Sequence, residues 1–154
     1  MNWVFNDGGR EEAGYKGFAD DCVCRAFAIA SGKSYKEIYD LINSLAKNEK
    51  ISKHHKTKSN ARNGVRKNTG KKLAEILGFK YISTMKFGEG CKMHLTEDEI
   101  PSDTIVVQLS KHLVCVKNKV INDTYNSSIK QYYDCEGNLI TNDKRCVYGY
   151  FVKE

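Results

Sequence analysis

Gly78 separates two hydrophobic rhythms. Before it, apolar residues recur every three or four positions: Val23, Ala26, Phe27 and Ala30, then Ile38, Leu41, Ile42 and Leu45, then Leu73, Ile76 and Leu77. After it they come in short runs: FKYIST (79–84), TIVVQL (104–109), HLVCVK (112–117), VIND (120–123) and RCVYGYFV (145–152). The first spacing is one face of an α-helix, and the second belongs to strands. Helices first and strands after, with hairpin-length connections, predict an α+β domain with N-terminal helices packed on a C-terminal antiparallel sheet. With 154 residues the chain can bury a real core without staples, and 1–154 reads as one domain.

Local signals place the helix ends. The first helix is predicted over Asp21–Ser31, with Gly32 as its stop. Ser34 and Glu37 form an S-x-x-E capping box for the second. The third spans about Thr69–Leu77 and ends at Gly78. No run of eighteen apolar residues exists, so no membrane-spanning helix is expected. The start, MNWVFNDGGREEAG, lacks the basic and then apolar pattern of a signal peptide, and the expected location is the cytoplasm. In such a chain the six cysteines read as reduced thiols.

The net charge of +6 is a local feature. Residues 47–72 carry ten Lys or Arg against one acid, Glu49, and the remainder is slightly acidic. The tract has no apolar period and two glycines, so it reads as a loop inserted between the second and third helices. Three roles suit it: a solvated loop, a phosphate-binding patch for nucleic acid, or an electrostatic guide for an acidic protein partner. Lys56, Lys58, Arg62, Arg66 and Lys67 are the residues that would contact such a partner. The tract has no aromatic side chain to stack on bases, which disfavours sequence-specific reading of a single strand.

The stretch ADDCVCRAFAIA (19–30) puts a thiol where a helix begins. Free N–H groups and the positive end of the helix dipole stabilise a thiolate there, and the same N–H groups can receive an oxyanion. Asp20 and Asp21 oppose the thiolate, unless Arg25 offsets them or one of them caps the helix. A nucleophilic Cys22 needs a base and a group that orients it. His112 opens an apolar strand that turns at Asn118-Lys119 and returns as VIND. With a two-residue turn, Asp123 shares the face of His112; a three-residue loop puts Asn122 there instead. Two-residue loops are the commonest, which favours Asp123.

Cysteine on the first long helix, followed by histidine and Asp or Asn on later neighbouring strands, is the chain order of papain-like cysteine peptidases. The segments DGGREEAGYKGFADDCVCRAFAIASGKSYKEIYDLIN, GCKMHL, SKHLVCVKNKVINDTYNSS and RCVYGYF resemble a family of phage and prophage proteins. That resemblance covers most of the chain. It implies a phage-type origin, a papain-like core and residence in the host cell, and it supplies no substrate. The papain pattern has a glutamine several residues before the cysteine; here Lys16 stands near that place and no glutamine precedes Cys22. Asn6 or a backbone group is the expected substitute, with Asp21 as a further auxiliary residue.

These residues together predict a cysteine hydrolase, whether peptidase, amidase or isopeptidase, that needs no cofactor. Its substrate would be a protein or peptide, a host protein being the natural choice in an infected cell. The competing expectation is a non-catalytic binder of the same fold, docking nucleic acid or an acidic host protein through 47–72. A zinc site would draw on Cys22-x-Cys24, Cys91-x2-His94 and His54 or His55. The first pair is too closely spaced for a structural site, so no metal is expected. Cys24, Cys115, Cys135 and Cys146 read as small, nearly apolar side chains.

Overall fold

A computed structural model describes residues 1–154. Three helices form where the 3.6-residue spacing predicts them: α1 (Cys22–Ser31), α2 (Tyr35–Ala46) and α3 (Lys67–Ile76). Gly32 ends α1 in the left-handed region at φ 74°, a conformation that costs glycine little. Ser34 accepts a hydrogen bond from the Glu37 N–H at 3.1 Å and so starts α2. The third helix begins two residues earlier than expected, so Lys67 belongs to it and the basic loop proper is shorter.

Eight strands follow the helical half or flank it: β1 (Trp3–Phe5), β2 (Phe79–Ser83), β3 (Ile105–Leu109), β4 (His112–Lys117), β5 (Val120–Asp123), β6 (Lys130–Tyr133), β7 (Leu139–Asn142) and β8 (Gly149–Lys153). Six make one sheet in the order β1-β5-β4-β3-β8-β2, and β6 pairs with β7 alone. The sheet is mixed, which corrects the antiparallel expectation: β1 lies parallel to β5, with Val4 opposite Asn122. Three exposed residues, Trp3, Val4 and Phe5, make that strand, and three residues carry no legible period. The β6–β7 hairpin lies outside the core, with β6 exposed along its length; Asp134 holds its turn by accepting from the Glu136 and Asn138 N–H groups. The last predicted strand is shorter than expected, because residues 145–147 bridge to the 93–95 segment before β8 begins.

The sheet is covered on both sides. Phe27, Ile29, Ile38, Ile42 and Leu73 from the helices pack on Val106, Cys115 and Phe151. Phe27 meets Phe79 and Phe151 edge-on at ring separations of 5.8 and 5.3 Å, a favourable quadrupole geometry. Leu95, Ile100 and Val147 cover the opposite face over Ile105, Val107, Val114, Val116 and Ile121. Burial of this second layer explains why β3 and β4 read as nearly continuous apolar runs.

Cys91 and Cys146 form a disulfide across 55 residues of chain. This corrects the reading of all six cysteines as reduced thiols, and of Cys146 as a small neutral side chain. Cys22, Cys24, Cys115 and Cys135 are free.

Candidate active site

The β4–β5 turn sets the geometry of the site. Asn118 and Lys119 both adopt positive φ, 46° and 64°, the pattern of a two-residue turn matched to strand twist. Lys117 therefore faces Val120 and Cys115 faces Asn122, so alternation turns Asp123 towards His112. The imidazole Nε2 lies 2.7 Å from Asp123 Oδ2, which leaves Nδ1 as the nitrogen that can serve the thiol. Asp123 is 1% exposed and His112 is 11% exposed by side chain. Asn122 points elsewhere, its Oδ1 accepting from the Asn6 amide at 3.1 Å. Neither Asn6 nor Asn122 lines the cleft that contains Cys22, so Asn6 is not placed to bind an oxyanion and Asn122 does not orient His112.

Cys22 opens α1, half-buried, in the same cleft as His112. Burial raises its pKa, but the His112 imidazole, the Leu113 backbone and Arg25 outweigh that and bring the thiol below its ordinary value. His112 responds in the opposite sense. Burial would lower its pKa, yet the hydrogen bond to Asp123, the neighbouring Cys22 sulfur and the negative charge of both carry it up to about 9. For Asp123, burial is offset by the hydrogen bond and charge of His112, the Thr124 N–H and Arg25, and its carboxyl lies below the ordinary range. These shifts favour thiolate beside imidazolium. Cys24 and Cys115 move the other way, pushed up to about 12 by burial, and are inert fillers by comparison.

Asp21 does not cap α1. It makes no side-chain cap bond, because its carboxylate accepts from the Tyr35 hydroxyl at 2.6 Å and from the Arg25 guanidinium. The same guanidinium donates to Asp123 Oδ1 at 3.0 Å. Arg25 thus bridges two buried carboxylates, and Arg10 stands 3.6 Å from Asp21 at the far end. A charged chain runs Arg10–Asp21–Arg25–Asp123–His112 beneath the thiol. Leaving the cap unmade has a second effect: the N–H groups of Cys22 and Val23, two residues that line the cleft, are left without an acceptor in the protein. Asp20 is exposed, and its backbone N–H donates to Arg62 O at 2.8 Å.

The basic tract is ordered by its one acid. Glu49 accepts from the N–H and hydroxyl of Ser59 and from the Thr69 hydroxyl, and pairs with Arg66 Nε at 3.4 Å. Arg66 also donates to the carbonyls of Lys50, His55 and Thr57. Arg62 donates to those of Lys16 and Phe18, at 3.2 Å each. Both arginines therefore spend their donors inside the protein, and Arg62 ties the loop to the segment leading into Cys22. Lys56 and Lys58 are exposed, the latter only grazing Lys47 O at 3.4 Å, and Lys67 faces the cleft. The tract, read from sequence as a loop with three candidate roles, forms one wall of the cleft that holds Cys22 and His112.

That cleft encloses about 1120 Å³. Phe18, Val65, Tyr81, Met85, Leu113 and Tyr148 supply much of its apolar lining, and Gln108 projects from β3. The Tyr81 hydroxyl donates to Gln108 Oε1 at 3.2 Å. Tyr125 lies beside the imidazole, ring to ring at 5.5 Å, on the side where a second cavity of about 420 Å³ meets His112.

Sequence reading missed Tyr35, Tyr125 and the Arg25 link to Asp123. Only the Asp21–Arg25 spacing of four residues along a helix signalled any of this. The residues on which a zinc site would draw do not converge. Cys91 is in the disulfide, His94 Nδ1 meets Glu99 at 3.1 Å, His54 and His55 lie exposed, and no three His, Cys, Asp or Glu side chains form a cation site.

No family model, curated protein or solved structure matches this chain. No helix is long and apolar enough to cross a membrane. The chain defines an α+β fold with a mixed six-stranded sheet and a cleft lined by Cys22 and His112, with Asp123 bonded to the imidazole.

Proposed function

We propose that this chain is a papain-like cysteine hydrolase of phage type, acting on an amide, ester or isopeptide carbonyl of a protein substrate in the host cell. The observation that carries the reading is the buried 2.7 Å contact between His112 Nε2 and Asp123, beside a thiol at an uncapped helix start. The thiolate of Cys22 attacks the carbonyl carbon, and the carbonyl π electrons move to oxygen. The N–H groups of Cys22 and Val23 receive that oxyanion. The carbon–nitrogen bond of an amide then breaks as His112 passes its Nδ1 proton to the departing amine, leaving a thioester on Cys22. A water molecule gives one proton to the now neutral imidazole while its oxygen attacks the thioester. The acid leaves, and Cys22 returns to thiolate beside imidazolium. Asp123 holds the ring through both steps, and Arg25 holds Asp123. The reaction needs no cofactor.

A p-nitrophenyl ester tests the covalent step without knowledge of the substrate. Intact-mass measurement after a brief reaction at neutral pH is expected to find one acyl group per chain, on Cys22. Cys22→Ala should remove it, and His112→Ala should slow its formation by about a hundredfold. Acylation spread over lysines, or proceeding at Cys22 equally fast without His112, would overturn the proposal.

A further inference from the structure

Gly70 sits inside α3, where glycine is a poor choice for helix stability. Its backbone does not need it, since it is not among the glycines with positive φ. Packing does not need it either: a Cβ built on Gly70 would meet no atom within 4 Å. The residue is nonetheless buried beneath its neighbours and lines the Cys22 cleft. The missing side chain therefore leaves room on the cleft side, at bare helix backbone.

The side chains around this notch are cationic. Lys67 and Lys71, three residues before Gly70 and one after, line the same cleft, and both are exposed. Lys71 Nζ lies 5.2 Å from the centre of the Tyr81 ring, which places it over the apolar floor. Lys111 completes the set beside His112. None of the three lysines is paired with a carboxylate. The other lining charges are already committed: Arg25 to Asp21 and Asp123, Arg66 to Glu49. Only Asp20 offers an exposed negative charge. The unpaired charge of the cleft is thus positive, and two of its three lysines, Lys67 and Lys71, share one helix face beside the empty notch.

We propose that the Lys67–Gly70–Lys71 face of α3 is a substrate subsite that takes an acidic side chain, so that the hydrolase selects carbonyls flanked by Asp or Glu. The carboxylate lies between the two ammonium groups, and its methylene stem rests on the Gly70 backbone and the Tyr81 ring. This assignment rests on Cys22 being the nucleophile, and the test separates the two claims.

The probes are peptidyl chloromethyl ketones, in which Glu, Gln or Lys is scanned over the three positions before the ketone. Labelling of Cys22 is followed by mass spectrometry, with iodoacetamide as the side-chain-free control. At one position Glu is expected to react about tenfold faster than Gln, the scale of two partly exposed ion pairs, with Lys slowest. Lys67→Gln/Lys71→Gln should bring Glu and Gln within twofold, and added salt should erode the preference in wild type. Gly70→Ala should raise the thermal midpoint, as a better helix former does, and still slow the Glu probe at least threefold. Equal Glu and Gln rates at every position, with rapid His112-dependent iodoacetamide labelling, would overturn the subsite and leave the nucleophile standing. No selective reaction of Cys22 with any probe would overturn both.

Discussion

Arg25 is the most exposed point of weakness in the proposed site, because one guanidinium serves two buried carboxylates. Its side chain is 11% exposed, against 2% for Asp21 and 1% for Asp123. In Arg25→Met the apolar stem is kept and every donor is lost. Breaking a buried ion pair by removing one partner costs about 3–5 kcal/mol, because the remaining charge stays buried. Two carboxylates are stranded here, but each keeps help. Asp21 retains the Tyr35 hydroxyl at 2.6 Å, and Asp123 retains His112 and the Thr124 N–H, both at 2.7 Å. The expected loss is therefore about 4 kcal/mol and not twice that. Urea unfolding at pH 7 measures it directly, and the thermal midpoint should fall by about 10 °C for a chain of this size. Asp21→Asn in the Arg25→Met background should cost less than it does alone, with a coupling of about 1–3 kcal/mol. A loss under about 1 kcal/mol, or strict additivity of the two substitutions, would refute the shared-guanidinium reasoning.

Three further outcomes are expected. His112 has its pKa raised from 6.5 to about 9 in the folded chain, so the stability it contributes is full below pH 6.5 and is lost as pH rises through about 9. His112→Gln should therefore cost about 2 kcal/mol in urea unfolding at pH 6 and much less at pH 10. An equal cost at both pH values would contradict the ion pair. Gly149→Ala would put a Cβ 2.1 Å from the Tyr81 hydroxyl, forcing the ring out of place and breaking its bond to Gln108. A loss of about 1–3 kcal/mol in thermal unfolding is expected, and a neutral effect would mean the ring does not occupy that slot. Reduction of Cys91–Cys146 frees a loop spanning 55 residues, and chain entropy puts the cost at about 4 kcal/mol. Unfolding midpoints that coincide with and without reductant would show that this bridge does not hold the fold.

Much of the site is legible in sequence because local rules specify it. Asn118-Lys119 suits a two-residue turn, that turn sets the register, and the register brings Asp123 and not Asn122 to His112. Ser34 and Gly32 mark helix ends through bonds made within four residues, so a short window suffices to read them. What escaped sequence reading depends on partners distant along the chain. Arg25 is four residues from Asp21 but 98 from Asp123, and nothing local announces the second contact. Cys91 and Cys146 have no short spacing to mark them as a pair, so composition alone suggested free thiols. Glu49 organises the basic tract through Ser59, Arg66 and Thr69, and a charge count registers it only as the lone acid in a positive run. Strand β1 joins the sheet through backbone bonds to β5, with side chains exposed throughout, so hydrophobic pattern carries no trace of it.

The pH dependence of Cys22 alkylation by iodoacetamide tests the central claim most directly. Rates from pH 4 to 9, located by peptide mass spectrometry, report the thiolate fraction at each cysteine of one sample. Cys22 is expected to react at pH 6 ahead of Cys24, Cys115 and Cys135, with its apparent pKa below that of an ordinary cysteine. His112→Ala should return that pKa to the ordinary range and remove the lead. A Cys22 profile that matches Cys135 in wild type, or that is unchanged by His112→Ala, would contradict a thiolate–imidazolium pair and remove the basis for catalysis.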